Sequence, residues 1–235
     1  MTERIALCIS TLMRYGWADG VECWNRKAAE GPYPLYLEYG NKTLVSYNRC
    51  LRRSVEPLLG FVHDDVLVHE YGWDQRVLQQ FDDPAVGVVG FAGALGHGYP
   101  DLYKGEFRLG NMGRSVEFRS GLHDAEAHGK RFTGECDVAV LDGMALFARR
   151  ELFDKAGPWP EETGYWIYDY WLCCEARRHG YRIRMVGVAC THLGSASHAT
   201  AEAQGLPLPE SEDSEAANRW IYDRYRDVLP WEVKP

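Results

Sequence analysis

The chain of 235 residues lacks any apolar run approaching the roughly 18 residues that a membrane-spanning helix needs. It also lacks a CxxC pair. Its seven cysteines are an odd number, and five of them (Cys8, Cys136, Cys173, Cys174, Cys190) sit inside apolar runs. That pattern argues against a secreted disulfide framework and for reduced core thiols. Cys173 and Cys174 are adjacent, and neighbouring cysteines rarely bridge, so a redox pair is the lesser reading. Positive charge is short: 26 Lys and Arg against 34 Asp and Glu leave a net −8. This argues against a large nucleic-acid footprint, while Arg49, Arg52 and Arg53 leave room for a local basic patch. There is no internal repeat and no polar tract longer than a loop. The start, MTERIALCIS, places an acidic residue before a short apolar run with no small-residue cleavage site, so it reads as a strand and not a signal peptide. The expectation is a soluble, cytoplasmic protein.

What is there is a globular composition, 46% apolar and 26% charged. Apolar runs alternate with helical patterns. Strands are expected over 4–10, 34–37, 58–66 and 85–92, and helices within 17–29, over 43–54 with Asn41 as N-cap, and over 71–80. Runs buried on both faces and separated by helices predict an α/β fold, a mostly parallel sheet flanked by helices in a single domain.

Residues 93–134 break this rhythm: Gly, His and charged residues abound, periodicity is weak, and the segment reads as an insertion or lid. Regularity returns over 136–149, read as a strand pair or a strand with a bulge at Asp142–Gly143. A helix is expected over 168–179 with Gly180 just past its end, then a strand over 182–190 running into Thr191 and His192. An acidic, Pro-containing stretch over 199–214 precedes a C-terminal helical tail at 215–235, whose amphipathic helix spans 218–228.

Four features carry chemistry. In GFVHDDVLV, two aspartates follow a histidine inside an apolar run, and burying unpaired carboxylates is costly. On a continuous strand His63 and Asp65 share one face and Asp64 takes the other. At the carboxyl end of a strand such a carboxylate suits Mg²⁺ or Mn²⁺ that also carries phosphate oxygens; a strand-end cap with a salt bridge is the alternative. His192 ends another apolar strand, as a metal ligand or as a hydrogen-bonded surface residue. Asp169 falls in the first turn of a helix, as a general base or as a cap. Gly143, after Asp142, permits close approach of a ligand to the backbone, or marks a bulge.

Taken in order, these pieces resemble a GT-A glycosyltransferase of the large family-2 type, in the branch whose acidic motif has the form His-x-Asp-Val. The resemblance rests on Asn48 in SYNRCL, HDDV at 63–66, GVVGFAG at 87–93 and VLDGMALFARRELFDKAG at 140–157. It continues through YDYWLCCEARRHGYRIRMVGV at 168–188 and THLGSASH at 191–198, leaving 94–134 unmatched. It implies a nucleotide-diphosphate-sugar donor and a divalent metal, Mn²⁺ or Mg²⁺. By that resemblance Asp65 and His192 hold the metal, and Asp169 is the base of an inverting hexosyl- or pentosyltransferase. His63, Asp64, Asn48, Asp142 and Gly143 line the donor. His63 stands where the family's first Asp is usual, and Tyr168 where a Glu usually precedes the base. Trp159 and Trp166 are candidate sugar-stacking platforms. The acceptor hydroxyl is open between a cell-surface glycan, a small molecule, a protein and a modified nucleic acid base. A nucleotidyltransferase would show a glycine-rich loop with Lys or Arg after the first strand, where CISTLMRYG offers only Arg14. A non-catalytic nucleotide-sugar-binding relative is the remaining alternative.

Overall fold

The computed structural model describes residues 5–11, 18–40, 42–98, 103–109, 130–161, 167–192 and 214–233. In chain order the strands are β1 (Ile5–Thr11), β2 (Leu35–Tyr39), β3 (Leu58–His63), β4 (Val66–Val68), β5 (Val86–Gly90), β6 (Ala92–His97) and β7 (Tyr103–Leu109). They continue with β8 (Lys130–Arg131), β9 (Glu135–Asp137), β10 (Val140–Leu141), β11 (Ala145–Arg149), β12 (Arg182–Val186), β13 (Cys190–His192) and β14 (Trp231–Glu232). The helices are α1 (Ala18–Arg26), α2 (Thr43–Arg53), α3 (Trp73–Phe81), α4 (Arg150–Ala156), α5 (Tyr168–Arg178) and α6 (Ser214–Arg224).

The main sheet has seven strands in the order β2-β1-β3-β11-β5-β12-β9. β2, β1, β3, β5 and β12 run one way, and β11 and β9 run against them. The expected mostly parallel sheet is therefore present. Its strands are apolar on both faces because both faces are covered. Ala6, Cys8, Leu59 and Phe61 meet Tyr47 of α2, Phe153 of α4, Trp159, and Trp171 of α5 on one side. Ile5, Leu7, Leu58 and Val62 meet Trp24 of α1 and Trp73 of α3 on the other. Gly60 is small for a reason of space: a Cβ there would stand 2.8 Å from the Phe147 ring on the neighbouring strand.

Several expected strands are subdivided, always where a strand leaves one sheet for another. The run over 58–66 stops at His63, turns at Asp64–Asp65 and resumes as β4, which pairs antiparallel with β13. The run over 182–190 likewise splits into β12 in the main sheet and β13 in this two-stranded ribbon. The run over 136–149 is neither a pair nor a bulged strand: β9 and β11 lie in the main sheet and β10 joins β6 in a second sheet. The segment expected as an insertion begins with β6, all six residues of which are buried. β6 is flanked by β10 and β7 and also takes β14. Glycines at 93 and 96 weaken its strand signature, yet Gly93 is needed because a Cβ would strike the Val140 carbonyl.

At the helix ends, Lys42 caps α2 without a side-chain bond, and Asn41 lies outside the described residues. The expected tail helix starts earlier and ends at Arg224, after which the chain turns into β14. Cys173 and Cys174 are buried thiols, each pushed up to about 12 by burial. In the Arg49, Arg52 and Arg53 cluster, Arg49 and Arg53 both reach Glu38, so the basic patch is partly neutralised. No helix among the described residues is long and apolar enough to cross a membrane.

Candidate active site

The turn at Asp64–Asp65 sends the two carboxylates apart, by a route different from the expected strand alternation. Asp64 is buried and accepts a hydrogen bond from the Thr11 hydroxyl at the end of β1. Burial, with the neighbouring Asp65 charge, raises its carboxyl to about 6 despite that bond. Asp65 faces the other way, toward His63 at the end of β3 and His192 at the end of β13. Register explains the meeting: His192 lies opposite Val66, the residue that follows Asp65.

The three side chains form a tight cluster. His192 Nε2 is 3.3 Å and His63 Nδ1 3.8 Å from Asp65 Oδ1, and the two ring nitrogens are 3.4 Å apart. Asp65 Oδ1 is buried without a hydrogen bond of proper alignment. Burial alone would raise the Asp65 carboxyl, but His192 and then His63 outweigh it and hold it below its ordinary range. His192 is driven down by burial and is raised on balance by Asp65 and Asp142, whereas burial wins at His63 and lowers it.

This donor set fits a divalent cation. Ligand atoms at about 2.1 Å from one ion stand about 3.0 Å apart in an octahedron and about 3.4 Å apart in a tetrahedron. The observed separations lie at or just above that range, and the orphaned Asp65 oxygen gains a partner when an ion is bound.

Beside the cluster, the loop between β10 and β11 meets the start of α5. Gly143 N–H donates to Asp169 Oδ2 at 3.1 Å, and Tyr170 N–H donates to Asp169 Oδ1 at 2.8 Å. The Tyr168 hydroxyl donates to the Gly143 carbonyl at 2.9 Å and lies 2.7 Å from His63 Nε2. A Cβ on residue 143 would collide with that hydroxyl, so the glycine admits a side chain of the protein rather than opening a bulge. Asp142 accepts the Met144 N–H at 2.9 Å, and its own N–H bonds Ala92 of β6. His63, Asp65, His192, Asp142, Gly143 and Asp169 are thus gathered in one place, with Asp64 just behind.

Asn48 lies deeper. It is buried in α2, with its amide committed to the Trp159 backbone and to Glu161. Trp159 is 1% exposed, packed among Tyr47, Phe61, Tyr168 and Trp171, which corrects its reading as a sugar platform. Trp166 and Arg14 lie outside the described residues. Sequence reasoning missed Tyr168 as a partner of His63. The two are 105 positions apart, and the only trace is the glycine at 143 that makes room for the phenol.

The mostly parallel sheet flanked by helices matches the GT-A glycosyltransferase fold. Two solved structures share it. GalNAc-T7, solved with UDP, GalNAc and Mn²⁺, matches with a TM-score of 0.58 at 10% identity, over 96% of this chain and 50% of that one. The mannosyltransferase PcManGT from Pyrobaculum calidifontis, solved in complex with GDP-Man and Mn²⁺, gives 0.52 at 15% identity, over 96% and 74%. The chain belongs to the Glycosyltransferase like family, whose model matches residues 37–204. A curated relative, hydrogenobyrinate a,c-diamide synthase of Sinorhizobium sp, is 31% identical over 119 residues, 48% of this chain and 24% of that protein. The chain therefore spans about a quarter of the length of that relative.

Proposed function

We propose that the protein is a metal-dependent, inverting glycosyltransferase that moves a sugar from a nucleotide-diphosphate-sugar to a hydroxyl acceptor. The observation that carries this reading is the meeting of Asp65 and His192 at adjacent strand ends, beside a carboxylate, Asp169, anchored at the start of a helix. Nucleotide and nucleotide-sugar ligands with Mn²⁺ in both structural neighbours support its metal and donor parts.

Asp65 and His192 would hold the cation. When bound, the ion supplies charge neutralisation for a departing diphosphate, an effect of several kcal/mol. The remaining work falls to the chain. Asp169 takes the proton of the acceptor hydroxyl as that oxygen attacks the anomeric carbon opposite the leaving group. Its two backbone N–H donors fix the direction of the carboxylate, and such fixed geometry lowers the barrier by avoiding reorientation during reaction. Asp142 and Gly143, on the loop between, line the donor sugar. Asp64 and Thr11 sit on the nucleoside side at the end of β1. Asn48 acts at one remove, holding the backbone at Trp159 through paired amide bonds.

A panel of nucleotide sugars with Mn²⁺, read by release of free nucleoside diphosphate, tests the reading. We expect turnover that chelation removes, that Asp65→Ala abolishes and that Asp169→Asn reduces by about 10²-fold or more. Activity indifferent to chelator, or full activity in Asp169→Asn, overturns this mechanism.

A further inference from the structure

Among the described residues, the Tyr168 hydroxyl, with its single proton, lies between the Gly143 carbonyl and His63 Nε2, and this geometry bears on which His63 nitrogen carries the proton. A carbonyl oxygen only accepts, so the phenol proton goes to Gly143 O at 2.9 Å. The phenol oxygen then accepts from the ring nitrogen 2.7 Å away, which places the imidazole proton of neutral His63 on Nε2. The other nitrogen, Nδ1, carries the lone pair. It faces the cluster, 3.4 Å from His192 Nε2 and 3.8 Å from Asp65 Oδ1.

From this geometry we propose that Tyr168 is a positioning residue that makes His63 a third ligand of the cation, beside Asp65 and His192. The proposal rests on the metal reading given above and goes beyond it in two ways. It assigns His63 to the ion instead of to the donor nucleotide, and it predicts which ions the site takes. Ligating histidines hold their orientation by donating the far N–H to an acceptor, and losing that acceptor commonly weakens metal binding by about 10- to 100-fold. Two imidazoles and one carboxylate form a softer donor set than the oxygen-only sites that Mg²⁺ favours. The site is therefore selective for a first-row transition ion such as Mn²⁺ over Mg²⁺.

The chain's own packing agrees with a dedicated arrangement. The Tyr168 ring is 3% exposed and wedged against Tyr47 and Trp159, so the hydroxyl has little freedom to leave. Gly143 leaves the space that the hydroxyl occupies. Three residues distant in sequence thus form one hydrogen-bonded chain from backbone carbonyl to phenol to imidazole.

The test uses Mn²⁺ alone with the full chain, without any sugar donor. Binding is followed by loss of the free-ion electron paramagnetic resonance signal, and pulsed measurements count the coordinated imidazole nitrogens. We expect two coupled nitrogens in the wild type and no displacement by equimolar Mg²⁺. Tyr168→Phe, which removes only the oxygen, should weaken Mn²⁺ about 10- to 100-fold and diminish one nitrogen coupling. His63→Ala should remove that same coupling, and the double variant should be no weaker than His63→Ala alone, because Tyr168 acts through His63. Wild-type affinity with both couplings in Tyr168→Phe, or additive losses in the double variant, overturns the proposal while leaving Asp65 and His192 as ligands. Absence of Mn²⁺ binding by the wild type overturns it together with the metal reading. Mn²⁺ binding with this Tyr168 dependence but no sugar transfer sustains it and fails the proposed activity alone.

Discussion

Asp74 in α3 and Asp65 in the turn after β3 are both sequestered from water, at 0% and 4% exposure. Asp74 spends both oxygens on the chain: it accepts N–H bonds from Ala29 at 2.8 Å and Glu30 at 2.7 Å, and the Tyr33 O–H at 2.8 Å. Those donors pin the loop between α1 and β2. Asp65 keeps one oxygen without an aligned donor and sets it against two imidazoles. A satisfied buried carboxylate stabilises a loop; an unsatisfied one beside ring nitrogens waits for a ligand. Burial alone does not separate the two kinds, and the hydrogen-bond tally does.

The contrast breaks most visibly on substitution at Asp65. Asp65→Ala should lower sugar transfer on the order of 10³-fold or more, as expected for losing several kcal/mol of charge stabilisation. Urea unfolding of the metal-free variant should remain within about 1 kcal/mol of wild type, since Asp65 Oδ1 has no aligned donor to lose. A large stability loss there would put Asp65 in the same class as Asp74. Asp74→Ala should show the converse: about 3 kcal/mol or more of lost stability from three stranded donors, with Mn²⁺ affinity unchanged in the folded protein. Altered Mn²⁺ affinity would mean that the loop and the site are coupled.

Asp64 sharpens the comparison with a smaller effect. Its carboxyl titrates at about 6 in the folded chain against an ordinary 3.8. Between these values the folded state holds a proton that the unfolded state has released. This contribution is complete below the unfolded value and is lost as pH rises through the folded one, by about 3 kcal/mol at most. Asp64→Asn should flatten that slope between pH ~4 and ~7. Denaturant titrations of metal-free protein across this range check it, and an unchanged slope would assign the pH dependence elsewhere.

Much of the fold was legible in the sequence because its strands are short apolar runs separated by helical periodicity. Asp65 and His192 were legible because a polar group at the end of an apolar run is conspicuous, and Asp169 because a carboxylate in the first turn of a helix is. The illegible parts depend on distant partners. Nothing in the run over 58–66 marks His63 as the last residue of one sheet; β4 exists because β13 lies opposite it. β6 reads as a loop, since glycines fill positions where neighbouring strands come close. Trp159 reads as a surface aromatic until Tyr47, Phe61 and Trp171 are placed around it. The separation of Asp64 from Asp65 was expected from strand alternation, and a turn achieves it instead.

The two-stranded ribbon of β4 and β13 has a thermodynamic corollary. Opening it pulls His192 away from Asp65, so any ion that binds both ends is bound only to the closed form. By linkage, the open population then falls by the factor 1 + [ion]/Kd. At an ion concentration about a hundred times Kd, amide protons that exchange only through this opening should slow about a hundredfold, while those in α3 keep their rates. The ribbon's hydrogen-exchange rate is thus a gauge of site occupancy that requires neither donor nor acceptor.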